Sequence, residues 1–207
     1  SFMDSLPVTL RKNQELKVDA SVEGSLADLQ ISHLTASAFT DTFLKASGTI
    51  KGLPETRAMR LDLVVNKFRT TETDLSMILP DSVIPESIAI PQWLEATAGL
   101  KGSLKRAEFK TALTSSDGSI DLKGNFDLDS TSQTRGYSAA LDVRDLDLGH
   151  LLQQPDTIGL LNMQASVTAH GLRPDEMTGE IHALVKDFEF HRYRYENFKL
   201  DGKVNRG

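Results

Sequence analysis

Hydrophobic or small residues alternate with polar residues along most of the chain, and the alternation repeatedly ends at a glycine. Before Gly52, for example, Ala46, Gly48 and Ile50 alternate with polar or charged residues. A period of two is typical of a β-strand with one apolar and one polar face, and a glycine at its end suits a turn or bulge with positive φ. The glycines that end such a stretch are Gly24, Gly52, Gly102, Gly124, Gly171 and, in a weaker copy, Gly202. The pattern predicts an all-β fold, an antiparallel meander of hairpins.

Small side chains dominate the apolar phase of these predicted strands, and aromatic residues make up only 6% of the chain. A closed sandwich about 10 Å thick needs large side chains from both sheets to fill its interior. A sheet lined by small aliphatic residues can instead leave an apolar trough, which another protein segment or a lipid chain would cover. We therefore expect an elongated curved sheet or U-shaped groove (β-taco-like), with a closed β-sandwich as the alternative. The residues expected to line the groove are Val18, Ala20, Val22, Ala46, Gly48, Ile50, Ala96, Ala98, Leu100, Ile120, Leu122, Ala165 and Val167.

Two apolar stretches interrupt the alternation. The first predicts a short helix that is capped by Thr71 or Thr73 and stops before Pro80. The second, residues 145–158, predicts one or two helical turns that end before Pro155. Both are too short to form a layer, so we expect them to plug an open end of the sheet rather than to cross to a second sheet. They divide one continuous domain, 1–207, into modules of approximately 1–72, 73–144 and 145–207.

Composition and motifs argue against catalysis and against nucleic-acid binding. The net charge is −6 and the basic residues are dispersed, whereas a nucleic-acid surface needs clustered positive charge. The chain has no cysteine, and no catalytic or nucleotide-binding motif occurs in it. One predicted hairpin carries several potential metal ligands: Glu180, His182, Asp187, Glu189 and His191. The solvent-exposed face of any strand is rich in the same residue types, so these residues alone do not indicate a metal site. We expect no enzymatic activity, no metal and no cofactor.

The aromatic segment 187–198 is the most distinctive local sequence. Its aromatic residues alternate in one phase up to Phe190 and in the other phase from Tyr193. A tight turn or bulge at His191-Arg192 explains this change of phase. Packing at the end of a hairpin is the commoner role of such aromatics, and ligand binding is the alternative.

Four stretches, in order from residue 84 to residue 204, carry a family resemblance. They are residues 84–130, which include the hairpin "ATAGLKGSLKRAEF", then "YSAALDVRDLDLGHLL" (137–152), "MQASVTAHGL" (163–172) and "GEIHALVKDFEFHRYRYENFKLDGKV" (179–204). This succession resembles the AsmA-like/TamB family of envelope proteins, particularly the Bacteroidetes type.

The resemblance implies an internal fragment of a very long protein, whose β-hairpins roll into a U-shaped groove across the periplasm. It also implies one N-terminal helix in the inner membrane, an anchor that this sequence does not contain. The implied function is to carry phospholipid or another acyl-chain lipid between the inner and outer membranes, or to support outer-membrane protein assembly. The implied partners are the lipid and, through the parent chain, an outer-membrane barrel protein. The alternative function is a closed β-sandwich that serves as a structural or interaction module of the cell envelope, without lipid cargo.

Overall fold

A computed structural model describes residues 16–79, 84–129, 135–171 and 178–204. These residues form one open sheet of eleven antiparallel strands, in which each strand pairs with its neighbours in sequence. Two short helices follow β4 and β8, and a 3₁₀ turn (Thr56–Ala58) precedes β4. The elements are β1 (Leu16–Ser25), β2 (Asp28–Ala38), β3 (Thr42–Lys51), β4 (Arg60–Thr71), α1 (Glu72–Ile78), β5 (Trp93–Ser103), β6 (Arg106–Ser115), β7 (Gly118–Asp127), β8 (Gly136–Asp147), α2 (Leu148–Leu151), β9 (Ile158–His170), β10 (Thr178–Phe190) and β11 (Tyr193–Val204). The predicted all-β meander with short helices is confirmed.

The pairing register places the apolar phases of all eleven strands on one face. Leu63 of β4 lies opposite Gly48 on one side and Leu100 on the other. Residues directly opposite in an antiparallel pair share a face, so the apolar positions form rows that cross the sheet. We call this surface the apolar face and the opposite surface the polar face.

Bulges interrupt the pairing of β2, β4, β8 and β10. In β4, Val65 lies opposite Ala98 while Phe68, three residues later, lies opposite Ala96. A bulge inserts one residue, bends its strand and increases the local twist. The bulges therefore keep apolar side chains on the apolar face where strict alternation would turn them over, and they curve the sheet.

Four glycines with positive φ lie at the C-terminal ends of odd-numbered strands. Gly24, Gly52, Gly102 and Gly171 have φ values of 101°, 87°, 143° and 87°. This region is readily accessible only to glycine, so these residues let the chain leave one strand and turn toward the next. The edge of the sheet that they mark is called the glycine end below.

Gly124 and Gly202 differ from the predicted turn or bulge role, because both lie inside strands. Gly124 is in β7, where a Cβ atom would sit 2.8 Å from Phe109 Cζ on the neighbouring strand. Gly202 is in β11, where a Cβ atom would sit 2.7 Å from Ile181 Cγ2. At both positions the missing side chain makes room for a large neighbour on the apolar face.

The aromatic hairpin turns at His191 and Arg192, whose φ values are 49° and 66°. Tyr193 then lies opposite Phe190, so the aromatic residues on either side of the turn share one face. The predicted turn at this change of phase is confirmed.

Both helices lie at the edge of the sheet opposite the glycine end. The Thr71 hydroxyl accepts a hydrogen bond from Asp74 N and caps α1, as predicted, while Pro80 lies outside the described residues. Asp147 caps α2, which ends before Pro155 as predicted. We call this edge the covered end. The sheet continues without a break past both helices, so neither is a crossing between sheets.

The closed sandwich that the sequence left open is wrong for the described residues, because all eleven strands belong to a single sheet. The extensive contacts between elements are those of neighbouring strands, together with contacts of α1 to β4 and of α2 to β9. Without a second sheet, few side chains leave solvent completely. The buried hydrophobic residues of the described ranges are Ala107, Val143, Leu146, Ala169 and Val185.

Candidate functional site: the apolar face

The apolar face presents an unbroken surface of uncharged side chains. Every described position that the register assigns to it is aliphatic, aromatic, methionine, glycine, serine or threonine. One row across the sheet illustrates this and reads Ile31, Gly48, Leu63, Leu100, Phe109, Gly124, Ala139, Val167 and Ile181. Eleven strands about 4.8 Å apart give a surface roughly 48 Å wide. Strands of ten or more residues, at about 3.3 Å per residue, make it roughly 33 Å long. Its area therefore exceeds the few hundred Å² of contiguous apolar patch that a monomer usually exposes.

The thirteen residues predicted to line a groove all fall on this face. Val18 lies opposite Ala36, Ala98 opposite Val65, and Val167 opposite Ala139. The remaining ten, placed by the same register, are Ala20, Val22, Ala46, Gly48, Ile50, Ala96, Leu100, Ile120, Leu122 and Ala165.

Sequence reasoning left out the partner strands that complete the face. Phe109 and Leu141 lie between strands that contain predicted residues, and so does Leu63. The same alternation of apolar and polar residues occurs in β4, β6 and β8, but no glycine ends it there. The bulged strands were harder to read, because Phe68 and Leu146 fall out of the period-two frame.

Comparison of like side chains shows that the apolar face is the more sheltered one. Val64, on the polar face of β4, is 37% exposed, whereas its neighbours Leu63 and Val65 are half-buried. Ala112 on the polar face is exposed, and Ala98 on the apolar face of the adjacent strand is half-buried. The apolar face is most open near the two free strands, with Val18 58% exposed in β1 and Leu200 54% exposed in β11. The face is thus sheltered along its middle but not covered.

Charged side chains pair with one another on the polar face. Lys101 lies 3.0 Å from Asp62 and Lys203 lies 2.7 Å from Glu180, and hydrogen bonds to these carboxylates raise the pKa of each lysine. Exposed pairs of this kind contribute little stability. Their effect is to keep one face hydrated while the other stays uncharged.

Asp74 of α1 closes the apolar face at the covered end. Its fully buried carboxylate accepts hydrogen bonds from Thr40 N (3.4 Å), Asp41 N (2.8 Å) and Thr42 Oγ1 (2.8 Å). Thr42 Oγ1 also lies 2.9 Å from Thr70 Oγ1, and both threonines belong to the apolar face. Because buried charge needs partners, Asp74 ties α1 to the β2–β3 turn. The cap at Thr71 was predicted, but this anchor was not.

A second anchor links α2 to the β6–β7 turn. Asp117, which is nearly buried, lies 2.8 Å from His150 Nδ1 through Oδ2 and accepts from Ser116 Oγ (3.0 Å) through Oδ1. The hydrogen bond to Asp117 raises the pKa of His150, which is half-exposed. Since the serine hydroxyl donates to the carboxylate and not to the imidazole, the trio is not a nucleophile activated by a base. These contacts hold α2 against the β6–β7 turn at the covered end.

The segment 84–92 completes the covered end. Ala89 N donates to Leu151 O at 2.8 Å, and Gln153 Nε2 donates to Glu86 O at 2.6 Å. The first anchor holds α1, the second holds α2, and this segment bridges to α2. One margin of the apolar face is therefore bounded by ordered chain, and the opposite margin by the turns of the glycine end.

Shallow cavities cross the middle strands of the sheet. A cavity of about 710 Å³ crosses β4 to β9 and is lined in each strand by consecutive residues, such as Glu108–Lys110 and Lys123–Asn125. In each triplet the middle residue belongs to the apolar face and the outer two residues belong to the polar face. The cavities therefore follow the rows of paired residues that cross the sheet.

Three of the five residues considered as a metal site, Glu180, His182 and Asp187, take part in ion pairs. His182 Nδ1 lies 2.6 Å from Asp201 Oδ1, and this hydrogen bond raises the pKa of His182. Asp187 instead accepts two hydrogen bonds from Arg194. Within the described ranges, no group of three or more histidine or acidic residues is placed to hold a metal ion.

In the described part of the chain, no helix combines the length and the apolar character that crossing a membrane requires. Comparisons of the chain with protein-family models, with curated proteins and with solved structures found no match.

Proposed function

We propose that the apolar face holds the acyl chains of lipids, and that the chain is a periplasmic segment of an envelope protein that passes phospholipid between the inner and outer membranes. The observation that carries this proposal is the uncharged face of eleven strands, which no second layer of the described chain covers. Apolar surface removed from water gains about 25 cal/mol per Å², or about 0.8 kcal/mol per buried methylene group. Acyl chains are long, apolar and available in quantity in an envelope.

The distribution of charge favours recognition of the acyl chain rather than of the headgroup. The apolar face offers a phosphate no charged partner, since the register places no lysine or arginine of the described strands on it. A phosphate desolvated without a partner would be costly. The headgroup therefore stays in water at the margin of the face, and we expect it at the glycine end, because α1 and α2 lie at the opposite end.

The experiment that tests this proposal is native mass spectrometry of the gently purified chain, followed by organic extraction and identification of the lipid. We expect phospholipid at defined stoichiometry, with a headgroup distribution that follows the membrane of the expression host. A lipid-free chain that also fails to take up phospholipid from vesicles would contradict the proposal. Enrichment of a single minor headgroup would contradict the argument that the acyl chain alone is recognised.

A further inference from the structure

The connections at the two ends of the sheet differ in charge. At the covered end, the described residues between strands include six acidic residues and one arginine, namely Asp41, Glu72, Asp74, Glu86, Asp117, Asp156 and Arg192. At the glycine end, they include two acidic residues and three basic ones, namely Glu55, Asp129, Arg57, Lys105 and Arg135. The connections of the glycine end are therefore basic, although the net charge of the whole chain is −6.

Three cations of neighbouring segments at the glycine end have no partner. Arg57, Arg60 and Lys105 are exposed, and none of them forms an ion pair with a described residue. Arg60 begins β4, where the register places it between Lys51 and Ser103 and opposite no carboxylate. Arg57 lies in the 3₁₀ turn just before β4, and Lys105 lies in the β5–β6 turn two residues after Ser103. These three side chains are free to bind an anion from outside the chain.

Other cations at the nearby strand ends are already neutralised. Lys51 lies 3.3 Å from Asp28, and Arg106 lies 2.6 Å from Asp127. A cavity of about 690 Å³ lies at this end, and Arg60 and Arg106 are among the residues that line it. The unpaired cations therefore lie where a ligand has room.

The β5–β6 turn also carries an exposed apolar side chain beside its cation. Leu104, next to Lys105, is 52% exposed. The turn thus places an apolar group and a positive charge together at the margin of the apolar face. A phospholipid has the matching arrangement where its acyl chains meet its phosphate.

We propose that Arg57, Arg60 and Lys105 bind the phosphate of a phospholipid whose acyl chains lie on the apolar face. The inference rests on the proposed function and adds the residues that orient the lipid. Long basic side chains can extend around a margin while their stems stay on the protein, and the carboxylates of the covered end repel a phosphate. Because every phospholipid has this phosphate and exposed ion pairs are weak, the contact orients the lipid without selecting a headgroup.

Two fluorescent lipids with the same acyl chains test the proposal. Phosphatidylglycerol carries the phosphate and diacylglycerol lacks it, and each is titrated into the delipidated chain from cyclodextrin. The triple variant R57E/R60E/K105E should weaken phosphatidylglycerol binding about tenfold or more and leave diacylglycerol binding unchanged. The matched control K45E/K110E/K123E makes the same change of net charge at exposed polar-face positions inside β3, β6 and β7. It should change neither affinity by more than about twofold.

Circular dichroism establishes that each variant keeps its strands, and the milder single variant Arg60→Gln should weaken phosphatidylglycerol binding about threefold. Equal losses of affinity for both lipids, or equal effects of the two triple variants, would overturn the proposal. Micromolar binding of inorganic phosphate to the lipid-free chain would also overturn it, because the cations would then serve a free anion.

The failure of this inference and the failure of the proposed function give different results. An original chain that takes up neither lipid would refute the proposed function itself. An original chain that takes up both lipids, with affinities that R57E/R60E/K105E does not change, would refute only the phosphate contact.

Discussion

A single arginine on the apolar face should separate lipid binding from folding. Ala98 lies near the middle of the sheet, opposite Val65 on one side and Thr111 on the other, and is half-buried. Ala98→Arg places a guanidinium among uncharged neighbours. Gly48 would be a poorer choice, because its φ is 154° and a Cβ atom there would collide with the carbonyl oxygen of Asp62.

The expected magnitude follows from the open face. An arginine head that replaces about four methylene contacts of an acyl chain, at about 0.8 kcal/mol each, removes roughly 3 kcal/mol of binding, or more than a hundredfold in affinity. The fold should lose only about 1 kcal/mol or less, because the long side chain can carry its charge to water. In a filled core the same unpaired charge would cost about 3–5 kcal/mol.

The matched control is Ala112→Arg, which makes the same substitution on the adjacent strand but on the polar face. Ala112 is exposed and lies opposite Asp121 of β7, so its arginine should leave both folding and lipid binding unchanged. Lipid uptake is measured by transfer of a fluorescent phospholipid from vesicles, and stability by urea unfolding. The reasoning is refuted if Ala98→Arg folds and binds lipid as well as Ala112→Arg does, or if it unfolds the chain.

Three further predictions concern the anchors and turns. Asp74→Ala should destabilise the chain by about 3 kcal/mol in urea unfolding, because three hydrogen bonds to a buried carboxylate are lost together. A smaller loss than about 1 kcal/mol would show that α1 is not anchored there. Gly102→Ala should lower the free energy of unfolding by about 2 kcal/mol, since φ is 143° and a Cβ atom would lie 2.6 Å from a neighbouring Cα. The control Gly99→Ala should have a smaller effect, because its Cβ meets only a flexible lysine side chain. Equal losses of stability in the two variants would contradict this prediction. The raised pKa of His150 beside Asp117 contributes stability below about pH 6.5 that is lost as pH rises through the folded-state value. Asp147 and Glu72 also raise this pKa. His150→Gln should therefore lose more stability, relative to the original chain, in acid than in alkali. A loss of stability that does not change with pH would refute this linkage.

Most of the fold was readable from the sequence because the hairpin is a local unit. The alternation before Gly52 and Gly102 indicates which side chains share a face. Positive φ at these glycines is expected, because the chain turns there. The order of strands then follows from short connections between sequence neighbours. The choice between groove and sandwich was not readable, because small residues on one face are compatible with both.

The features that escaped sequence reasoning depend on contacts between distant residues. In β4, strict alternation from Leu63 and Val65 would place Lys67 on the apolar face, and the bulge that prevents this is visible only in the pairing with β3 and β5. Asp74 reads as an ordinary first-turn acid of a helix. Its role as an anchor requires the β2–β3 turn, more than thirty residues earlier, to fold back beside it.

The central claim, that lipid chains occupy one face of this sheet, is tested most directly with a photoreactive amino acid at two neighbouring positions of β7. Leu122 belongs to the apolar face and Lys123 to the polar face. The account predicts that the photoreactive residue at Leu122 cross-links to phospholipid and that the one at Lys123 does not. Equal cross-linking from both positions, or none from Leu122 in a folded chain supplied with phospholipid, would contradict it.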